Sequence, residues 1–156
     1  MSADNQQERL DAKWIVGFVD GEGCFHVSIN RQQKMTLGWQ VVPEFRVVQH
    51  QRDEEVLQKL KLFFGFGKVC VNHGDRKEFR VRRLDDLSKL VVFFELNNLQ
   101  TSKQKNFELF AEIMKLINKK QHLTMEGLNK IANLASNMNR KVIRSLESSE
   151  TIRQNS

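Results

Sequence analysis

Two pairs of strand-like runs, each joined by a link too short for a crossover helix, constrain this chain more than any other feature. Phe25, Val27 and Ile29 alternate with Cys24, His26, Ser28 and Asn30, the period-two pattern of a strand with one buried face. After a polar turn from Arg31 to Thr36, Trp39 to Gln49 reads as a longer strand. Val41, Phe45 and Val47 take one side of it, and Gln40, Val42, Glu44 and Arg46 the other. Lys68 to Asn72 and Glu78 to Arg82 form a second hairpin around His73-Gly74-Asp75. Hairpins in both places predict an antiparallel sheet, because parallel pairing needs a long crossover.

Between these strands the hydrophobic spacing turns helical. Gln7 to Gly21 reads as a helix with Leu10, Trp14, Val16, Phe18 and Val19 apolar on more than one side, ended by Gly21 and Gly23. Asp53 is placed to cap a helix through Phe64, which Gly65 and Gly67 break. Asp85 or Asp86 starts another through about Leu96, and Ser102 is placed to cap Lys103 to Asn118. Thr124, with Gly127 and Leu128, begins a last helix toward Ala135. The expected class is α+β, in the order αββαββα with further C-terminal helices. One face of a four-stranded antiparallel sheet then packs on helices while the other carries the polar alternates. With Pro43 the only proline and no linker-like stretch or repeat, residues 1–156 read as a single domain. Its core is expected over about residues 8–135, with 136–156 a polar extension that a partner would order.

Charge narrows the partners. The chain holds 25 Lys and Arg against 19 Asp and Glu, a net +6, which favours a nucleic acid or an anionic membrane surface. No apolar run approaches spanning length, and the polar first residues lack the apolar core of a signal peptide. Cys24 and Cys70 are too few for a disulfide framework or a four-cysteine zinc site, so an intracellular, reducing home is expected. Six cations, Lys68, Arg76, Lys77, Arg80, Arg82 and Arg83, stand against Asp75 and Glu78 between Gly67 and Arg83. They sit on strands, which argues against a basic amphipathic membrane helix. Arg80 and Arg82 share a strand face, as do Lys68, Cys70 and Asn72 on the partner strand. Together with Gln40 and Arg46 they form a polar face of the residue types that read base edges in a major groove. The same pattern also fits a solvated sheet face.

Asp20 and Glu22 flank Gly21 where the first helix ends. Carboxylates there oppose the helix dipole unless a cation compensates, and a divalent metal with hard oxygen ligands is one such cation. An ordinary acidic turn has the same spacing. Gly17 and Gly21 lie one above the other on the helix and permit a second helix to approach closely, though helix-on-sheet packing would use them equally well. The four histidines show no metal-ligand spacing. Asp75-Arg76-Lys77 has the D-x-K form of a different nuclease class, but in a turn with no partner carboxylate placed.

The stretch Trp14 to Gly23, WIVGFVDGEG, resembles the LAGLIDADG motif of homing endonucleases and related intron maturases, and the likeness extends over roughly Glu8 to Ala135. The resemblance implies a role for each matching residue. A single copy of the motif implies a homodimer whose motif helices pack at the two-fold axis through Trp14, Gly17, Phe18 and Gly21. Glu22 falls on the metal-binding acid, where Asp is more usual; the Gly21 carbonyl adds a metal contact. Asp20, the first acid, joins that set in a more structural role. Gln49 falls on a water-organising glutamine, and Lys103, opening Lys103-Gln104-Lys105, on a catalytic lysine. Arg52 is the nearest match to an assisting basic residue, although the most direct register puts Asp53 there. Base-reading positions fall on Ser28, Asn30, Gln32, Gln40, Arg46, Cys70, Asn72 and Arg80, with Lys68 and Arg82 on the same polar face.

The implied activity is Mg²⁺-dependent, site-specific cleavage of double-stranded DNA at a long, nearly palindromic target, leaving 3′ overhangs and promoting intron mobility. Mn²⁺ or Ca²⁺ is expected to substitute in binding; no organic cofactor and no membrane are expected. The implied compartment is an organelle (chloroplast or mitochondrion) or a prokaryotic cytoplasm. A non-cleaving maturase or nucleic-acid binder of the same fold is the second reading, and a generic basic interaction protein the third.

Overall fold

The computed structural model describes residues 10–138. Helix α1 spans Ala12–Glu22, strand β1 Gly23–Arg31, β2 Trp39–His50, α2 Glu54–Phe64, β3 Lys68–His73 and β4 Arg76–Val81. Then come α3, Leu84–Leu96, α4, Lys103–Asn118, and α5, Met125–Met138. This is the expected αββαββα order followed by further helices. The strands hydrogen-bond in the order β1-β2-β4-β3, with β2–β4 and β3–β4 antiparallel.

Several boundaries differ from the sequence reading, each for a local reason. Helix α1 starts at Ala12 because the Asp11 carboxylate accepts from the Trp14 N–H at 2.7 Å. Residues 7–9 of the expected helix lie outside the described residues. The helix runs through Glu22 and stops at Gly23 in ordinary extended conformation. Gly23 is required there by close approach, since a Cβ would stand 2.6 Å from Val19 Cγ1. Asp53 precedes α2 but its side chain makes no capping bond. At α4 the capping hydroxyl is Thr101, not Ser102; it accepts from the Lys103 N–H at 3.2 Å. Thr124 caps α5 as expected, its hydroxyl accepting from Gly127 N–H at 3.0 Å. Of the polar extension expected over 136–156, residues 139 onward lie outside the described residues, while α5 continues through Met138.

The chain packs as two compact units. The first takes the residues through Cys24 together with Glu44–Lys103. Ile15 and Val19 of α1, Phe45 and Val47 of β2, and Phe79 and Val81 of β4 are buried there, as are Leu57 and Leu60 of α2 and Leu87, Leu90 and Phe94 of α3. Phe45 lies 6.1 Å from Phe94 and 6.4 Å from Phe79 between ring centroids, and Phe64 bridges Phe79 and Phe93. Gly65, in left-handed conformation, ends α2 as glycine does at little cost. The second unit takes Phe25–Pro43 with the chain from Gln104 onward. Phe25 packs on Phe107 and Phe110 at 5.4 and 5.3 Å, and α4 and α5 bury Ile113, Ile117, Leu128 and Ile131. Phe25, Val27 and Ile29 are buried on β1, as the period of two predicts.

Candidate functional site

The C-terminal end of α1 gathers three of the sequence-predicted residues. Both Asp20 oxygens are taken up by the loop after α3: Gln100 N–H donates at 2.7 Å, Thr101 N–H at 3.2 Å and the Thr101 hydroxyl at 2.8 Å. Burial works to raise the Asp20 carboxyl, but these hydrogen bonds, with the Lys103 charge nearby, hold it below the ordinary carboxylate value. Asp20 therefore braces the loop that leads into α4, consistent with the more structural role expected of it. A carboxyl with a lowered folded-state pKa stabilises the fold above its unfolded-state value, and that contribution disappears as pH falls through the lowered one. Asp20→Ala is expected to cost about 1–2 kcal/mol at neutral pH, allowing for solvent screening, with a smaller difference from the parent in acid. Denaturant melts at two pH values measure this.

Lys103 closes the same end from the other side. Its Nζ donates to the Val19 carbonyl at 2.9 Å and to the Asp20 carbonyl at 3.0 Å. The Val19 carbonyl also accepts from the Gly23 N–H that closes the helix, whereas the Asp20 carbonyl is among those that a helix terminus leaves without a helical partner. Burial pushes the ammonium below the ordinary lysine value, and the neighbouring Cys24 sulfur with the Asp20 and Glu22 carboxylates only partly opposes this. Glu22 itself is exposed at the last position of α1. The result is a fixed cation beside an exposed carboxylate at one helix end.

Among the described residues no group of three or more His, Cys, Asp or Glu side chains forms a metal site. The donors present, the Glu22 carboxylate and the Gly21 carbonyl, are hard oxygens of the kind that suit Mg²⁺ or Ca²⁺. They fit such an ion in kind, but one copy supplies too few of them.

The face of α1 that leads to this end is bare. Trp14, Gly17, Phe18 and Gly21 keep helical spacing along one stripe; Trp14 is 42% exposed and stacks on Phe18 with centroids 4.8 Å apart. A Cβ built on Gly17 or Gly21 meets nothing within 4 Å. Close packing against the described residues therefore does not account for either glycine.

Gln49 and Arg52 come from another stretch of the chain, the end of β2 and the turn after it. Gln49, half-buried near the end of β2, stands opposite Lys77 of β4. Arg52 sits in the 3₁₀ turn that comes next, with its side chain 77% exposed and 4.0 Å from Asp53. The turn is held by His50, whose Nδ1 accepts from the Arg52 N–H at 3.1 Å while Nε2 pairs with Asp75 at 3.0 Å. Among the described residues no hydrogen bond or ion pair links Gln49 or Arg52 to Glu22 or Lys103. Asp75 of the D-x-K triplet is spent on His50, and Lys77 pairs with Glu54 at 3.2 Å.

The polar sheet face in the first unit holds a feature the sequence pattern hid. Arg46, Arg80 and Lys68 stand opposite one another across β2, β4 and β3. Like charges in such a row repel. Two glutamates, each about 5% exposed, offset this. Glu44 accepts from Arg82 Nε at 2.7 Å and pairs with Arg46 at 3.5 Å. Glu78 takes Arg80 at 3.3 Å, Asn72 at 3.2 Å and the Cys70 thiol at 3.7 Å. Four of the predicted base-reading residues, together with Arg82 of the same face, are thus bound to two carboxylates. Alternation placed both glutamates on this face, but only cross-strand geometry could reveal their burial. Lys68 is exposed. In the second unit the Ser28 hydroxyl donates to the Val42 carbonyl at 3.4 Å and Asn30 donates to the Ser28 hydroxyl at 3.3 Å. Gln32 accepts from the Lys34 N–H at 3.5 Å, and Gln40 is exposed.

A sequence profile of the family described as LAGLIDADG endonuclease matches residues 15–114. A curated relative, probable intron-encoded endonuclease 3 of Neurospora crassa, is 35% identical over 129 residues, covering 81% of this chain and 24% of the relative. Among solved structures, the homing endonuclease I-TnaI superposes with a TM-score of 0.84 at 45% identity, over 94% of this chain and 98% of that one. I-SmaMI, solved bound to an uncleaved DNA target in the presence of calcium ions, gives 0.87 at 32% identity, over 90% of this chain and 49% of that one. The chain spans about a quarter to a third of the length of the first curated relatives it matches.

Proposed function

Since the chain belongs to the LAGLIDADG endonuclease family, we propose that it is a site-specific DNA endonuclease that acts as a homodimer on a long, nearly palindromic duplex and promotes intron mobility. The observation that carries this reading is the end of α1, where an exposed Glu22 carboxylate lies beside a Lys103 ammonium fixed on two main-chain carbonyls. The bare Trp14–Gly21 stripe supports a second copy, which would bring a second Glu22 to the two-fold axis and complete the donor set. The match to about half of the I-SmaMI chain supports the same two-copy arrangement.

The Glu22 carboxylate and Gly21 carbonyl of each copy would hold Mg²⁺, with Mn²⁺ or Ca²⁺ substituting in binding. The bound ion would supply Lewis acidity and an activated water at the scissile phosphate. Lys103 keeps a proton at Nζ and offsets negative charge gathering on the phosphate oxygens. Gln49 would orient water through its side-chain amide, and Arg52 would present a second cation to the DNA backbone. No covalent intermediate on the protein is required. Scission across the minor groove would leave 3′ overhangs. Each copy's sheet would lie in the major groove of one half-site, read through Ser28, Asn30, Gln32, Gln40, Arg46, Lys68, Cys70, Asn72, Arg80 and Arg82. Residues 1–156 would act as one functional domain, its core over about residues 8–135. No described helix is long and apolar enough to cross a membrane. The intron-encoded relatives support a site of action inside an organelle or a prokaryotic cell.

Selection of cleaved sites from a randomised DNA library, with Mg²⁺ or with EDTA, tests the proposal. One sharply defined site of about twenty base pairs supports it, whereas binding without cutting on every sequence hands the chain to the maturase reading. Lys103→Met is expected to slow cleavage about 100-fold with binding retained. Because the ammonium is held below the ordinary lysine value, cleavage should fail on the alkaline side at a pH below free lysine's titration. Lys103→Arg, which keeps its charge, should lack that limb in single-turnover rate profiles.

A further inference from the structure

We infer that Glu44 and Glu78 are positioning residues for sequence discrimination, an inference that rests on the DNA-cleaving reading. Both lie on the polar face of the sheet, yet each is only about 5% exposed, so neither is a solvated surface charge. Buried carboxylates persist where hydrogen-bonded cations surround them. Glu44 fixes Arg82 through its Nε and Arg46 through one terminal nitrogen; Glu78 fixes Arg80 through one terminal nitrogen and Asn72 through its amide.

This use of donors is selective. A guanidinium carries five N–H groups in a rigid fork, and each of these arginines spends only part of its fork on a glutamate. The remaining N–H groups are held in one orientation before any duplex arrives. An arginine fixed in this way meets guanine O6 and N7 without first losing its rotamer freedom, while a mismatched edge finds a fork that does not adjust. The two carboxylates also act on affinity. A face bearing Arg46, Arg80, Arg82 and Lys68 alone would grip any polyanion through its phosphates. Two negative charges among these cations lower that indiscriminate attraction, so the pair favours discrimination at the expense of raw binding.

Glu44→Gln and Glu78→Gln keep the shape and remove the charge. Each is expected to raise affinity for a non-target duplex about three- to tenfold at low salt. Each is also expected to lower the target-to-non-target ratio at least about tenfold, with the broadened positions being those that prefer guanine. The readouts are salt-dependent binding to the selected target and to scrambled duplex, and a repeat of the library selection. Glu44→Met and Glu78→Met fill the same space without an acceptor and cover the case of an amide variant that loosens the sheet. Glu126→Gln, an exposed carboxylate in the first turn of α5, controls for net charge. Variants that melt like the parent and keep its selected-site profile would overturn the inference. So would a change from one preferred base to another instead of a broadening, because the glutamates would then read bases themselves. Failure of the parent protein to select any site refutes the endonuclease proposal instead, so the two failures are told apart.

Discussion

Glu22→Gln is expected to leave the protein folded and bound to DNA while slowing the proposed strand cleavage about a thousandfold, corresponding to about 4 kcal/mol of lost transition-state stabilisation. The expectation comes from position and charge. Glu22 is exposed at the last residue of α1, so an isosteric amide creates no cavity and strands no buried partner. Among the described residues, the substitution removes the one carboxylate at this helix end that no hydrogen bond or ion pair engages. Asp20, two residues earlier, has both oxygens occupied by Gln100 and Thr101 and cannot stand in without releasing that loop. Cleavage and binding are measured separately, with Mg²⁺ for the rate and Ca²⁺ for affinity. Parallel loss of binding and cleavage would make Glu22 a structural residue and remove the metal reading.

Gly17→Leu is expected to abolish the proposed dimer while making the monomer more stable, and this opposition of signs makes it diagnostic. A glycine inside a helix costs about 0.8–1.0 kcal/mol relative to a good helix former. Among the described residues a Cβ at residue 17 meets nothing within 4 Å, so the substitution is expected to recover that cost. A second helix approaching the Trp14–Gly21 stripe would meet the leucine at the point of closest contact. Sedimentation should therefore show a monomer with a raised melting temperature, and double-strand cleavage should be lost with it. A normal dimer would place the interface elsewhere; a less stable monomer would mean that the stripe already faces part of its own chain.

Local pattern carries much of this molecule. Alternation at Phe25, Val27 and Ile29, the left-handed glycine after Phe64 and the Thr124 cap are effects of near neighbours in sequence, and all are present in the fold. Lys103 and Glu22 are legible through the motif's resemblance, and the helix end does gather Lys103 beside Asp20 and Glu22. Pairing at a distance is beyond the reach of pattern. Glu44 meets Arg82 across 38 residues of sequence, and Asp20 meets Thr101 across 81. Nothing in the local composition distinguishes a glutamate clasped by arginines from one in water. Thr101 and Ser102 both precede α4 and carry the same capping group, and only the approach of Asp20 selects the threonine.

The loop between α3 and α4 is short, polar and exposed for the most part, the sort of segment usually regarded as free to drift. Yet its amides and hydroxyl hold the Asp20 carboxylate, and the lysine just after it sends an amine back onto the preceding helix. Its length, more than its composition, is therefore under constraint. A single-residue deletion there would separate Lys103 from the end of the preceding helix without touching the motif. If the proposed cleavage holds, retargeting it to a new sequence should leave this stretch alone while the strands are redrawn.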